Sequence, residues 1–529
     1  MNFNHSFHIV FLIVMKSIHI LIAKLRSQMI GFGASAMIGA MAFVGLNSCS
    51  PDFLNVPPQG QQTPEDFFSN NPDAAASVVN AVYNKMLDWN MHSFSWNGIS
   101  SITSDDADKG SDPGDTGADK DQLDAFTFTS TSLSFNDVWE GNYQGIARAN
   151  RALDVLPKLT VADALKARLT GEAQFLRAFF YFKLVRIFGG VPLVDKVPDV
   201  NNPADLEAAR VRASREQIYQ FIETDLNAAI RNMPERSAYP ASELGRVTKG
   251  SAKTMLAKVA MYQRKWADVM RLTDEVIASG EYALAPDYAT IWREEGKNSR
   301  ESIFEVQARG TVPNRGIQGY VVSQSVRGQW GWGFNTPTDD LDKSYERGDP
   351  RRQATIIFGG EILWDGEKVN MNPPNPRYSE KAYLSRTKET FNGNDWESNK
   401  SMRVLRYAEV LLMNAEAANE LGMTAKAVQS LNLVRARARA SGGNTDMTVL
   451  PPVAATLSQA ELRAAIWRER RAELAFEHDR MFDLIRQGRA AQVMQAHGKN
   501  FVAGKHELFP IPQRQIELSG GKLVQNPGY

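Results

Sequence analysis

Ala252 to Ile277 and Glu409 to Ala438 each spell a pair of helices that cannot bury its own apolar face. In the first, a helix with Leu256, Ala257 and Ala260 turns at Gln263-Arg264-Lys265 into a second helix with Trp266, Val269 and Val276. In the other, Ala415 and Ala427 stand twelve residues apart, with Leu431 four further on. Small residues at that spacing let paired helices approach closely, as in tetratricopeptide hairpins. Each hairpin leaves a face that only a neighbour can cover, so several are expected to stack. The alternative is an ordinary helical bundle.

Other segments carry the same helical period. Between Asn136 and Leu159, Trp139, Tyr143, Ile146, Ala149, Leu153 and Leu156 recur at three- and four-residue steps, and Pro157 ends the run. Ser214-Arg215-Glu216-Gln217 and Ser458-Gln459-Ala460-Glu461 read as capping boxes. The five phenylalanines between Arg168 and Phe188 imply a helix buried against more than one neighbour. Three long stretches lack this period: 90–124, with five Asp between Asp105 and Asp115; 311–349; and 359–399, with Trp364, Trp396 and three prolines. Loops of that length inside a compact domain are often functional.

The single cysteine, Cys49, follows the uncharged run Met29 to Leu46, itself preceded by Lys16, Lys24 and Arg26. Positive segment, apolar segment and small residue form the layout of a secretory signal. With cysteine next, the layout resembles that of a bacterial lipoprotein, in which the peptide is cut before an acylated cysteine. Met15-Lys16 would open a shorter signal. The alternative is a transmembrane helix beside an incidental cysteine, since eighteen apolar residues nearly span a bilayer.

Without residues 1–48 the net charge is −3, which favours no nucleic-acid partner. No cysteine remains after Cys49 for a disulfide or a thiolate metal site. His92, His478, His497 and His506 form no metal-ligand spacing, and no nucleophile elbow or phosphate loop is present. Neither a cofactor nor a metal is expected, and the chain does not read as an enzyme. His478-Asp479 falls in a charged stretch where Arg470, Glu473, Glu477, Arg480 and Asp483 are expected to pair. The run Asp105, Asp106, Asp108, Asp112, Asp115 lacks the spacing of a calcium loop and is expected to be a solvated, flexible segment.

A family comes into view across nearly the whole chain after Cys49. Asp52-Phe53-Leu54 and Thr63-Pro64-Glu65-Asp66-Phe67 open it. Ala149-Asn150-Arg151-Ala152-Leu153 follows, then Leu176 to Tyr181 and Phe188-Gly189-Gly190-Val191-Pro192-Leu193. Gly331-Trp332-Gly333, Asp349-Pro350-Arg351, Arg406-Tyr407-Ala408-Glu409 and Glu469 to Glu477 come next, in order. Phe509-Pro510-Ile511-Pro512 and Gln525 to Tyr529 close it. In these blocks the sequence resembles the SusD/RagB family of outer-membrane lipoproteins.

The resemblance implies a mostly α fold: four tetratricopeptide-like helix pairs with an irregular, loop-rich lobe that carries ligand contacts. It also implies a lipid-anchored protein at the cell surface, capturing oligosaccharides or in some cases peptides for a SusC-like TonB-dependent outer-membrane transporter. The expected divisions are a signal over 1–48, an N-terminal region over 49–300 and a C-terminal region over 301–529. A helical-repeat adaptor that binds only protein is the alternative.

Sugar capture needs flat apolar platforms and a few directed hydrogen bonds. The resemblance places one edge of the site at Trp89, Trp96 and Asn97, and the opposite edge at Tyr320, Arg327, Gln329 and Trp330. Trp332, in its Gly-Trp-Gly block, is expected to be packing. A multiply acylated Cys49 would hold the chain on a bilayer. Cys49→Ala is therefore expected to leave the protein out of the outer-membrane fraction in cells lacking the transporter, as read by fractionation and immunoblotting; unchanged fractionation would refute the anchor.

Overall fold

The computed structural model describes residues 72–529, apart from 113 and 116. Cys49, the apolar run before it and the motifs at 52–54 and 63–67 lie outside the described residues.

Helices dominate. The scaffold is α1 (Pro72–Lys85), α2 (Leu133–Val155), α3 (Asp163–Phe188), α4 (Arg215–Asn232), α5 (Lys249–Tyr262), α6 (Trp266–Ala278), α7 (Tyr407–Glu420) and α8 (Thr424–Ala440). Each helix packs on the next in this order, and α9 (Gln459–Leu474) closes against α7 and α8. The result is a stack of four tetratricopeptide-like helix pairs. The irregular lobe between α6 and α7 contributes to three small antiparallel sheets. β1 (Ala107–Gly110) pairs with β3 (Phe334–Pro337), β2 (Ser302–Val306) with β6 (Met402–Arg406), and β4 (Ile356–Phe358) with β5 (Arg377–Ser379).

Local chemistry explains where the helices begin and how closely they pack. Ser214 and Gln217 cap α4 reciprocally, and Ser458 and Glu461 do the same for α9. Thr248 and Ser251 form a third such box at α5, with Ser in place of the usual Glu or Gln. Ala415 on α7 and Ala427 and Leu431 on α8 are fully buried, so the two helices meet through small side chains. All five phenylalanines of α3 are buried, and their rings meet Trp139 on α2, Tyr262 on α5 and Phe304 on β2, so the helix is covered on more than one side.

The acidic stretch departs from the expectation of a solvated loop at Asp105 and Asp106, while Asp108 and Asp112 are exposed. Residues 89–125 fold into short helices at Trp89–His92, Phe94–Asn97 and Ala118–Ala125, a π-helical turn at Gly98–Ile102, and β1. Asp105 and Asp106 are buried. Asp105 pairs with Arg480 at 2.7 Å and with Arg471 at 3.0 Å, and Asp106 pairs with Arg471 at 2.7 Å. Asp115 pairs with Lys109, and Asp112 with Arg327. The partners of Asp105 and Asp106 lie at the far end of the chain, and their charge is what permits the burial. Among the described residues, no group of three or more His, Asp or Glu side chains is placed to hold a metal.

The charged stretch after α9 is buried too. Asp479 pairs with Arg186 at 2.7 Å and also with Lys258. Glu473 sits at the centre of a larger network, receiving Arg406 at 3.0 Å, Arg351 at 3.2 Å and also Arg437. Burial alone would raise the Glu473 pKa, but Arg437, Arg406, Arg351 and Lys381 hold it down at about 2. A folded-state value below the ordinary 4.5 gives stabilisation that is complete above pH 4.5 and lost as pH falls through about 2. Glu473→Gln is expected to cost about 3–5 kcal/mol at neutral pH, as for one removed partner of a buried ion pair. Urea denaturation across pH should show the gap to the unmodified protein narrowing only below pH 4.5.

Candidate ligand-binding site

Three chain segments meet beside the N-terminal end of the stack: 87–97, 317–334 and 392–399. The N–H of Trp89 donates to Gln318 Oε1 at 3.0 Å, and the N–H of Gln318 donates to the Leu87 carbonyl at 2.9 Å. The N–H of Gly319 donates to the Trp396 carbonyl at 2.9 Å. Gly319 has φ +70°, and a Cβ there would come within 2.2 Å of the Trp89 ring edge. Both the backbone conformation and the close approach therefore require glycine.

These bonds bring an aromatic cluster together. Trp89 stacks on Trp396, with ring centroids 5.0 Å apart and planes at 12°. Trp332 stands edge-on to Trp89 at 6.1 Å and tilted to Trp396 at 6.0 Å. Phe94 lies 5.8 Å from Trp89 on a tilted plane and meets Phe334 edge-on at 4.6 Å. Lys120 Nζ sits 4.0 Å above the Phe94 ring. Burial lowers the Lys120 ammonium below its ordinary value, and Asp119 offsets this only in part. Trp89 is thus an inner plate, while Trp396, 38% exposed, is the outer one. The turn Asn392-Gly393-Asn394-Asp395 presents Trp396, and Asn394 Oδ1 accepts its N–H at 3.0 Å.

The residues expected at the site separate into three groups. Trp89 lies in the cluster. Trp330, Arg327 and Gln329 lie on a neighbouring loop. Trp330 packs half-buried on Tyr383 at 5.2 Å. The Arg386 guanidinium bridges that loop to the platform, donating to the Trp330 carbonyl at 3.4 Å and to Asp395 beside Trp396. Gln329 clasps the loop at 368–370, donating to the Lys368 carbonyl and accepting from the Asn370 N–H, both at 2.9 Å. Arg327 pairs with Asp112 at 3.5 Å.

Trp96, Asn97 and Tyr320 belong to the core, not to a ligand surface. Trp96 is 4% exposed, with Lys183 Nζ 3.8 Å over its ring and Phe482 stacked at 6.0 Å. His478 also touches it, and burial followed by Lys183 lowers that imidazole to about 4. Asn97 is buried on the same short helix. Tyr320 is buried in the main core, and burial raises its phenol pKa. The helical turns at 89–102 rotate Trp96 inward while leaving Trp89 at the rim.

Trp396 and Trp332 were not among the expected contacts. The signal for Trp396 was a tryptophan directly after a Gly- and Asn-rich turn within a long irregular stretch. Trp364, the other exposed indole at 43%, rests on the Arg293 guanidinium at 4.1 Å. An exposed indole backed by a second ring offers a rigid flat face for the C–H side of a pyranose.

The sequence profile of the SusD family matches residues 274–529, and a profile described as "Starch-binding associating with outer membrane" matches residues 52–261. SusD-like protein P2 of Formosa agariphila is 28% identical over 504 residues, covering 89% of this chain and 95% of that protein. A solved laminarin-binding SusD-like protein is 30% identical, with a TM-score of 0.72, over 87% of this chain and 100% of its own. Surface glycan-binding protein A from Bacteroides thetaiotaomicron, solved with laminarihexaose, is 26% identical, with a TM-score of 0.71, over 86% of this chain and 99% of its own.

The two indoles should respond differently to truncation. Trp96→Ala is expected to cost about 3–5 kcal/mol, as for a buried aromatic. Trp396→Ala should cost only about 0.5–1.5 kcal/mol, for the lost ring pair. Guanidinium denaturation of the two variants measures both, and equal losses would overturn the assignment of core and surface.

Proposed function

The chain belongs to the SusD/RagB family, and on that premise we propose that it is a cell-surface glycan-binding lipoprotein that captures oligosaccharides through Trp396 and passes them to a SusC-like TonB-dependent transporter. The observation that carries this reading is Trp396, 38% exposed, stacked on Trp89 and with its carbonyl accepting the Gly319 N–H. Three further points support it: the likeness to proteins solved with or named for laminarin, the outer-membrane profile over 52–261, and Cys49 after an apolar run.

In this reading Trp396 stacks on a sugar ring, and Trp332 and Trp89 fix its tilt. Trp330 flanks the platform through Arg386, and Arg327 and Gln329 hold the adjoining loop in shape. The polar atoms that read hydroxyls come from the turn at 392–395 and from the segments beside Gln318. One platform with a few hydrogen bonds corresponds to a Kd of roughly micromolar to millimolar. An affinity in that range lets cargo leave for a transporter.

A glycan-array screen followed by isothermal titration tests the proposal. The unmodified protein should bind at least one oligosaccharide class, and Trp396→Ala should weaken that binding at least tenfold. Absence of any glycan binding by the unmodified protein, or unchanged binding by the folded variant, would overturn it.

A further inference from the structure

Next to the aromatic platform lies a cavity of about 400 Å3, within the size range of small-ligand sites. The two segments that hold Trp89 and Gln318 also wall this cavity: 80–87 from α1 and its exit, and 306–315 from the stretch after β2. Leu87, Leu244 and Val306 form an apolar floor beside the Tyr83 ring. The rim carries the carboxamides of Asn80, Asn84 and Gln307 and the guanidinium groups of Arg309 and Arg315.

The charges around this rim do not cancel. Glu243 pairs with Arg168 and Arg246, and Arg246 is also held by Glu172. Glu305 faces Arg403 at 3.5 Å and accepts the Asn298 N–H at 2.9 Å. Glu243 is therefore paired, while Glu305 keeps its second oxygen, Oε2, buried and without a hydrogen bond. Arg309 and Arg315 make no ion pair among the described residues; Arg315 donates to Asn84 Oδ1. Chain folding nevertheless sets these two residues together. The N–H of Arg309 donates to the Arg315 carbonyl at 2.7 Å, closing the loop between them. Gly310 and Gly316 press that loop against the backbone at 397–399, directly after Trp396. The acid at that contact, Glu397, accepts the Asn314 N–H at 2.9 Å rather than pairing with either arginine. Two exposed arginines that the backbone brings together, that make no ion pair among the described residues and that line a cavity with Leu87, Leu244 and Val306, suit a ligand that brings its own anion.

We propose that this cavity is a second subsite of the glycan surface and takes an acidic unit, with Arg309 and Arg315 on the anionic oxygens while Trp396 stacks on a neighbouring ring. The anion is a uronate carboxylate or a sulfate ester, which present the same charged oxygens to guanidinium groups. The inference rests on the glycan reading above and deepens it to acidic oligosaccharides.

Titration of the full folded protein with three hexasaccharides tests it: a neutral β-glucan, a polyuronate and a sulfated galactan. The unmodified protein should bind one of the acidic probes at least tenfold more tightly than the neutral one, and that preference should shrink as salt is raised. The better acidic probe identifies the anion as carboxylate or sulfate. Arg309→Ala/Arg315→Ala, both at exposed positions, should lower the acidic-to-neutral preference at least tenfold while circular dichroism stays unchanged. A preference that is absent, or that survives in the double variant, overturns the subsite. If Trp396→Ala then still abolishes neutral-glucan binding, the glycan reading stands and only the acidic subsite falls. If no probe binds the unmodified protein, the acidic subsite falls, and the glycan reading falls with it only if the glycan array is blank as well.

Discussion

The burial of Glu473 among three arginines is the constraint on which the arrangement of scaffold and lobe depends. Its partners come from separate parts of the chain: Arg351 from the irregular lobe, Arg406 from the end of β6, and Arg437 from α8. Glu301, just before β2, takes Arg406 and Arg437 from the other side, while Glu469 on α9 takes Arg351 and Arg435. Desolvating so many charges is costly, and only mutual pairing offsets it. A register slip in β2–β6 or a rotation of α9 would leave a buried charge without its partner. Apolar contact alone tolerates such shifts; a closed set of ion pairs does not. The network thus fixes how the loop-rich lobe sits on the helices.

That fixed seat matters because the platform is assembled from segments far apart in sequence. Trp89 comes from the exit of α1, Gly319 from the middle of the lobe, and Trp396 from just before β6. Their hydrogen bonds hold only if the lobe and the first helices keep their relation. The pairs of Asp105 and Asp106 with Arg471 and Arg480 serve the same end, since they tie the segment after Trp89 to the C-terminal helices. The loops that carry the platform are thus tied to the scaffold at several points by buried ion pairs.

The same long-range pairing explains what the sequence disclosed and what it hid. Helical period, capping boxes and the Ala415–Ala427 spacing are local signals, and the helices stand where those signals put them. The stretch 90–124 read as a loop because Asp, Ser and Gly prefer water and turns. Asp105 and Asp106 are buried only because arginines some 365–375 residues away arrive to meet them, and no local pattern announces that. The platform was half legible for the same reason. Trp89 and Trp96 lie seven residues apart in similar composition, yet one faces the rim and the other meets Lys183 and Phe482. Exposure of a tryptophan is decided by what packs over it, which for Trp96 is α3 and the segment after α9.

The geometry of the indoles limits what they can discriminate. Trp89 is surrounded by Trp396, Trp332 and Phe94, so it backs the outer indole rather than offering a face of its own. Trp396 offers one face, and an indole face senses little beyond the C–H side of a pyranose. A stack of this kind gives a pre-organised surface that loses little freedom on binding, but it distinguishes poorly among sugars or linkages. Selectivity in such a site must come from polar groups that reward the right hydroxyl or charge and are left unpaired by the wrong one. The carboxamides and guanidinium groups carried by 80–84 and 307–315 line a cavity next to the segments that hold the platform, and under the proposed function that rim is where a choice among glycans would be made.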